Sequence, residues 1–276
     1  MNQYEKNIKM AEAYNIQEFE PKTISNQPAN ISITAMTGSG KTFLIIDFLS
    51  HVSKDYDHIF IMSRTAKLQE IFDFVPRENI VDGFSEDFIK GVLDYQRESK
   101  KKNKKLESFL IIMDDLINDV NYKKSLNIAN LYTEGRQYNI STWNLVQKFT
   151  GLSPIQRCNV RYAISFDIDT YSERKAFVEN YMPCENNQVN HNLFRRITRE
   201  KKYQCCIIEI YKNGVGVEEK VKKYVASEIK RKPKIKKEDY NKYIIKEVNP
   251  YLMGFGMNGY GTSMNIDDLD LTTYEE

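Results

Sequence analysis

The sequence predicts an α/β protein built on an open, mostly parallel β-sheet with helices on both faces. Three observations predict it. The run Ile31–Met36 (ISITAM) has the β-branched character of a buried strand, is broken by TGSG, and gives way to KTFLIIDFLSHV, which has the apolar content and length of a helix. Phe109–Met113 (FLIIM) is continuously apolar, the pattern of a strand covered on both faces. Strand-like and helix-like segments then alternate to about residue 226, as a parallel sheet with crossover helices requires.

Taken in order, His58–Met62 (HIFIM) follows the first helix as a second strand, expected beside the first through a right-handed crossover. Phe84–Arg97 reads as an amphipathic helix, interrupted by the charge run Lys100, Lys101, Lys102, Lys104 and Lys105. After FLIIM come a helix over Leu116–Tyr132, a fourth strand Ser141–Val146 ending at Gln147, and a fifth over Tyr162–Phe166. Ser172–Tyr181 continues as helix, and Tyr203–Tyr211, followed by Asn213-Gly214, reads as a hairpin strand added at an edge. Residues 1–28, interrupted by Pro21 and Pro28, are expected to be an N-terminal extension with one short helix, and residues 29–226 the core. Residues 227–276 change character: Lys230, Arg231, Lys232, Lys234, Lys236 and Lys237 cluster around Pro233, then Gly254, Gly256, Gly259 and Gly261 precede an acidic end, a composition expected of a flexible appendage.

Composition narrows the class. Hydrophobic residues at 41% and charged residues at 28% of 276 exclude a disordered or fibrous chain. Lys and Arg (40) balance Asp and Glu (38), so the net charge of +2 points to no partner. Cys158, Cys184, Cys205 and Cys206 form no CxxC, which argues against a disulfide framework or zinc ribbon and for reduced thiols in a cytoplasmic setting. His51, His58 and His191 lack metal-ligand spacing. The polar N-terminus offers no signal-peptide core, and no stretch approaches the ~20 apolar residues of a membrane helix, so a soluble protein is expected.

The chemistry-bearing motif is Ala35-Met36-Thr37-Gly38-Ser39-Gly40-Lys41-Thr42, a P-loop with alanine at its first position, placed between strand and helix. Gly38 and Gly40 let the backbone curl so that successive N–H groups, from Thr37 through Thr42, face phosphate oxygens at the positive end of the following helix. Lys41 supplies a charge to the β and γ phosphates of ATP, and the Thr42 hydroxyl is a ligand for Mg2+. Asp114, at the carboxyl end of a buried strand expected to adjoin the P-loop strand, is the second metal residue. Asp115 is the acid that orients or deprotonates an attacking water. An acid directly after the metal aspartate, with an extra strand between the two motifs, resembles the P-loop class that hydrolyses ATP through an additional catalytic acid. No DxxG follows the strand, unlike a GTPase, and no arginine-rich lid is evident, unlike a small-molecule kinase.

Gly135-Arg136-Gln137-Tyr138-Asn139-Ile140-Ser141, then Gln147, then Pro154-Ile155-Gln156-Arg157-Cys158-Asn159, complete a linked order that resembles the FtsK/HerA superfamily. Within it, the likeness is to the poxvirus-type genome-packaging ATPases of large DNA viruses and virophages, over roughly Ile31–Phe166. The resemblance implies a RecA-like sheet, a homo-oligomeric ring, and ATP-driven movement of double-stranded DNA into a capsid in the infected cell's cytoplasm; the basic tail could equally dock on a capsid or other packaging protein. It also implies that Lys41, Asp115, Gln147 and Arg136 serve catalysis, Gln147 as a polar sensor and Arg136 as a finger presented to the neighbouring subunit, with Arg157 the competing arginine. The pair here is Asp-Asp, where many relatives carry Asp-Glu. Two lysine-rich segments, Lys100–Lys105 and Lys230–Lys237, are candidates for sequence-independent DNA contact, although solvated charge runs are common. A related helicase or DNA pump, and an ATP-gated scaffold with little turnover, are the alternative readings.

Overall fold

Eight strands form a single sheet in the computed structural model, in the order β3-β2-β4-β5-β1-β6-β7-β8. They are β1 (Asn30–Thr34), β2 (His58–Ser63), β3 (Ile80–Asp82), β4 (Phe109–Asp114), β5 (Ile140–Val146), β6 (Tyr162–Ser165), β7 (Gln204–Glu209) and β8 (Val221–Val225). Strands β1 to β6 run parallel, and β7 and β8 add antiparallel to β6 and to each other. The structure describes residues 1–68, 72–227 and 232–244, all within one compact unit, Met1–Ile245; Lys246–Glu276 lie outside the described residues.

The helices are α1 (Gln3–Ala13), α2 (Lys41–Val52), α3 (Glu86–Lys101), α4 (Val120–Lys124), α5 (Leu126–Glu134), α6 (Pro154–Cys158), α7 (Tyr171–Tyr181), α8 (Asn187–Arg199) and α9 (Val217–Lys220). Alternate residues of one strand serve opposite layers. Phe109, Ile111 and Met113 of β4 join Phe88, Ile89, Val92 and Leu93 of α3 on one face. Leu110 and Ile112 meet the layer that contains Leu44, Ile45, Phe48 and Leu49 of α2 on the other. Both faces being covered, FLIIM has no reason to alternate, and every residue of β4 is buried.

Several expectations are corrected. β2 does not adjoin β1; β4 and β5 lie between them. β7 is internal, and the outer strand is β8, reached through Gly214 (φ 70) and α9, not a tight Asn213-Gly214 hairpin. The helix expected over Leu116–Tyr132 is broken into a 3-10 turn, α4 and α5, because Asp119 and Ser125 each turn a side chain onto backbone N–H groups and start a new helix. α3 runs on through Lys100 and Lys101, cations that suit the negative end of a helix. β3 and α8 were not expected.

The boundaries also move. Residues 1–28 are no loose extension: α1 packs on α8, Arg196 donates to the carbonyls of Glu12 (2.9 Å) and Tyr14 (2.8 Å), and Phe19 is buried beside Phe48 and Tyr162. Backbone bonds Phe19 N to Lys223 O (2.8 Å) and Lys223 N to Gln17 O (3.0 Å) tie this segment to β8. Residues 232–244, expected in the appendage, cover α3 and β2, with Pro233 buried and Tyr243 only 4% exposed. Tyr243 lies against Phe60, Phe88, Tyr95 and Phe109. Apolar positions interleaved among the lysines pull that stretch down. The glycine-rich and acidic stretches lie outside the described residues.

Candidate functional site

The sheet's register builds the site. Thr34 of β1 is level with Val146 of β5, and Asp114 of β4 with Leu145, so three neighbouring strands end together. Ala35 N donates to Val146 O (2.9 Å) and Asp115 N to Leu145 O (3.1 Å), fixing the P-loop and the acidic pair to the β5 tip. The motifs therefore meet across one intervening strand, not from adjoining ones.

From β1 the chain turns through Gly38 (φ 80) and Gly40 (φ 103), left-handed conformations that glycine adopts without cost, and enters α2 at Lys41. Thr37, Gly38, Gly40, Lys41 and Thr42 line a cleft of about 510 Å³ with Asp114, Asp115 and Gln147. Ser39 is turned away; its hydroxyl donates to Met36 O (2.7 Å). Lys41 Nζ lies 3.1 Å from Asp114 Oδ1, both side chains largely shielded from solvent. Gln147 Nε2 donates to Asp115 Oδ2 at 2.7 Å. Asp115 is itself left-handed (φ 54, ψ 37), a conformation that the short acids and amides tolerate better than longer side chains. That favours aspartate here over the glutamate of many relatives.

The donor set fits a hard dication bound mainly through phosphate and water. Among the described residues Asp114 Oδ1 and Asp115 Oδ1 are buried without a hydrogen-bond donor, and Lys41 faces the first of them. Among the described residues no cluster of three or more His, Cys, Asp or Glu could hold a metal. The four cysteines are free, Cys205 and Cys206 buried, and burial pushes both thiols up.

Arg136 is not in this cleft. It sits in the 3-10 turn before β5, at the opposite end of the parallel strands, and β5 alone spans roughly 20 Å at about 3.3 Å per residue. Its guanidinium is exposed and has no ion pair or hydrogen bond among the described residues. It lines a separate small cleft with Thr133, Gln137 and Arg161. Arg157, in α6, is half-buried with its guanidinium 5.6 Å from the Phe149 ring. Lys100–Lys105 are exposed on the same edge, where Lys100 donates to Gln137 O (3.3 Å). In the other basic segment Lys236 and Lys237 pair with Glu238 (3.0 Å) and Glu78 (2.7 Å); Lys230 lies outside the described residues.

Sequence reasoning missed part of the cleft wall: Phe43, Thr65 and Tyr203. Phe43 could have been flagged as an aromatic directly after the P-loop; Tyr203 carries no local signal. Among the described residues no helix is long and apolar enough to cross a membrane.

Comparison with known proteins agrees with this frame. The B204 crystal structure, the DNA-packaging ATPase of Sulfolobus turreted icosahedral virus, superposes with a TM-score of 0.50 at 16% identity, over 74% of this chain and 100% of that one. EssC (ATPases 2 and 3) from Geobacillus thermodenitrificans gives 0.50 at 13% identity, over 78% of this chain and 42% of that one. These likenesses establish the RecA-like P-loop ATPase fold. Protein L437 of Acanthamoeba polyphaga mimivirus, itself uncharacterized, is 25% identical over 223 residues, covering 75% of this chain and 76% of that one. Residues 16–248, the P-loop, the acidic pair and the Arg136 turn among them, match the model of the poxvirus A32 proteins, and the chain belongs to that family.

Proposed function

We propose that this chain is a viral genome-packaging motor: it hydrolyses ATP to ADP and phosphate and, as one subunit of a ring, drives double-stranded DNA into a capsid in the cytoplasm of an infected cell. The observation that carries the reading is the convergence of Lys41, Asp114, Asp115 and Gln147 at three strand tips, with contacts of 3.1 and 2.7 Å. Family membership and the DNA-packaging role given to B204 point the same way.

The backbone N–H groups of Thr37–Thr42 hold the phosphates, and Lys41 exchanges Asp114 for the β and γ phosphates. Thr42 and Asp114 would hold Mg2+, which would supply positive charge to the phosphate oxygens. Asp115, its Oδ2 held by the Gln147 amide, keeps Oδ1 free to accept a proton from water. Gln147 thereby links the γ-phosphate position to the centre of the sheet. Arg136 lies at the opposite end of the strands from its own cleft with no ion pair among the described residues, which supports action on a neighbour's nucleotide; Arg157, settled on Phe149, is the weaker candidate. The exposed Lys100–Lys105 run supports DNA contact better than the ion-paired Lys236–Lys237 stretch.

The test is Mg2+-dependent ATP hydrolysis with and without double-stranded DNA. Asn shares the left-handed tolerance of Asp, so Asp115→Asn removes the charge without disturbing the turn. It should retain nucleotide binding and lower kcat by about 10²–10⁴, whereas Lys41→Ala loses binding. A wild-type protein without ATPase activity sinks the motor; full biological function in Asp115→Asn favours an ATP-gated scaffold; strand separation without capsid filling favours a helicase.

A further inference from the structure

Tyr203 has φ 60, a left-handed conformation that a bulky side chain adopts only when its surroundings enforce it. They do so from both sides. Its carbonyl accepts from Ala226 N (3.2 Å), and the next residue, Gln204, anchors its amide on Ile197 O (2.5 Å). Glycine or asparagine would make the same turn more easily, so the turn does not account for an aromatic residue here.

The ring's position does. It lies across the P-loop so closely that a Cβ on Gly40 would stand 2.8 Å from Tyr203 Cδ1. Its centroid is 5.8 Å from that of Phe43, at an interplanar angle of 35°. Phe43 follows the phosphate residue Thr42 and is 38% exposed, an aromatic left in solvent at the mouth of a polar cleft. Lys202 Nζ, 4.7 Å from the Tyr203 ring centroid, adds a cation beside it.

We infer that Phe43 and Tyr203 form the nucleobase platform of this cleft: a purine base stacks on the aromatic pair while its phosphates run into the P-loop. This rests on the nucleotide reading proposed above. Stacking engages the face of a base and not its edge, so the platform adds affinity with little discrimination between adenine and guanine.

Calorimetric titration with the Mg2+ complexes of ATPγS, GTPγS and inorganic tripolyphosphate tests it. Tyr203→Leu and, at an unstrained helical position, Phe43→Leu should each weaken both nucleotides roughly 5- to 50-fold, in the range of base–aromatic stacking. Both should bind tripolyphosphate within about twofold of wild type, since it carries no base. Tyr203→Phe should restore nucleotide affinity. Equal losses for tripolyphosphate and nucleotides would mean that the rings only brace the P-loop, and unchanged nucleotide affinity in both leucine variants would likewise overturn the platform. Wild-type protein that binds none of the three ligands removes the nucleotide reading itself, and the platform with it.

Discussion

Gly91, in the middle of α3, offers a sharp test of where the compact unit ends. Its backbone is helical, so helix propensity alone favours Gly91→Ala by about 1 kcal/mol. The structure predicts the opposite sign. A Cβ at Gly91 would stand 1.4 Å from the carbonyl oxygen of Tyr243, backbone that cannot rotate aside, so residues 240–244 must lift. Lifting them takes the Tyr243 ring away from Phe60, Phe88 and Phe109, at 5.6, 6.3 and 5.4 Å between centroids, and opens that layer to water. Loss of a buried aromatic costs about 3–5 kcal/mol; less the propensity gain, the net destabilisation is roughly 2–4 kcal/mol. Urea unfolding of Gly91→Ala, Tyr243→Ala and the double variant measures it. Since either change releases the same contacts, the double variant should fall well short of additivity. Stability of Gly91→Ala at or above wild type would refute the reasoning.

Two further outcomes concern the arginine turn and a buried carboxylate. Arg136→Ala and Lys41→Ala should each abolish ATPase activity, yet a 1:1 mixture should recover activity, because roughly a quarter of randomly formed head-to-tail interfaces then hold an intact P-loop against an intact arginine; no recovery on mixing, with assembly verified, would remove Arg136 from a role in trans. Burial alone would raise the Glu238 carboxyl, but hydrogen bonds from Lys242 and Lys236 and the nearby charges of Lys242 and His58 outweigh it and hold it below its ordinary 4.5. A depressed native value stabilises above the unfolded value and is lost as pH falls through the native one. The melting-temperature gap between wild type and Glu238→Gln should therefore be present at neutral pH and close as the pH falls below the ordinary carboxylate range; a gap independent of pH would show that the charge is not involved.

The P-loop was legible because its requirements are local: two glycines at positive φ, then a helix that begins with Lys41 and Thr42. β4 was legible for a similar reason, since burial on both faces leaves an unbroken apolar run. Strand order was not, because it depends on which crossover passes over which, and so the insertion of β5 between the two motifs and the Gln147–Asp115 contact emerge only in three dimensions. Tyr203 could not be found from its neighbours, since what holds it to the site is a contact with Gly40 far back in the chain. Other omissions left visible traces. Val189, Leu193, Phe194 and Ile197 have the spacing of one helical face, and Asp119 and Ser125 are N-cap residues in the middle of an expected helix. In residues 232–244 abundant lysine drew attention from Pro233, Ile235 and Tyr243, which carry the packing.

The β8 margin of the sheet is already engaged by the chain itself, and the β3 margin is short. Outside β8, residues 17–19 pair with Lys223. β3 is only three residues long, and beside it Asn79 binds Lys236 O (3.0 Å) and accepts from Glu238 N (2.9 Å). A crowded population of such molecules offers little free ladder for strand-to-strand coalescence, so in the proposed ring copies would meet through helices, turns and side chains, where geometry can be selective and contacts can be made and released.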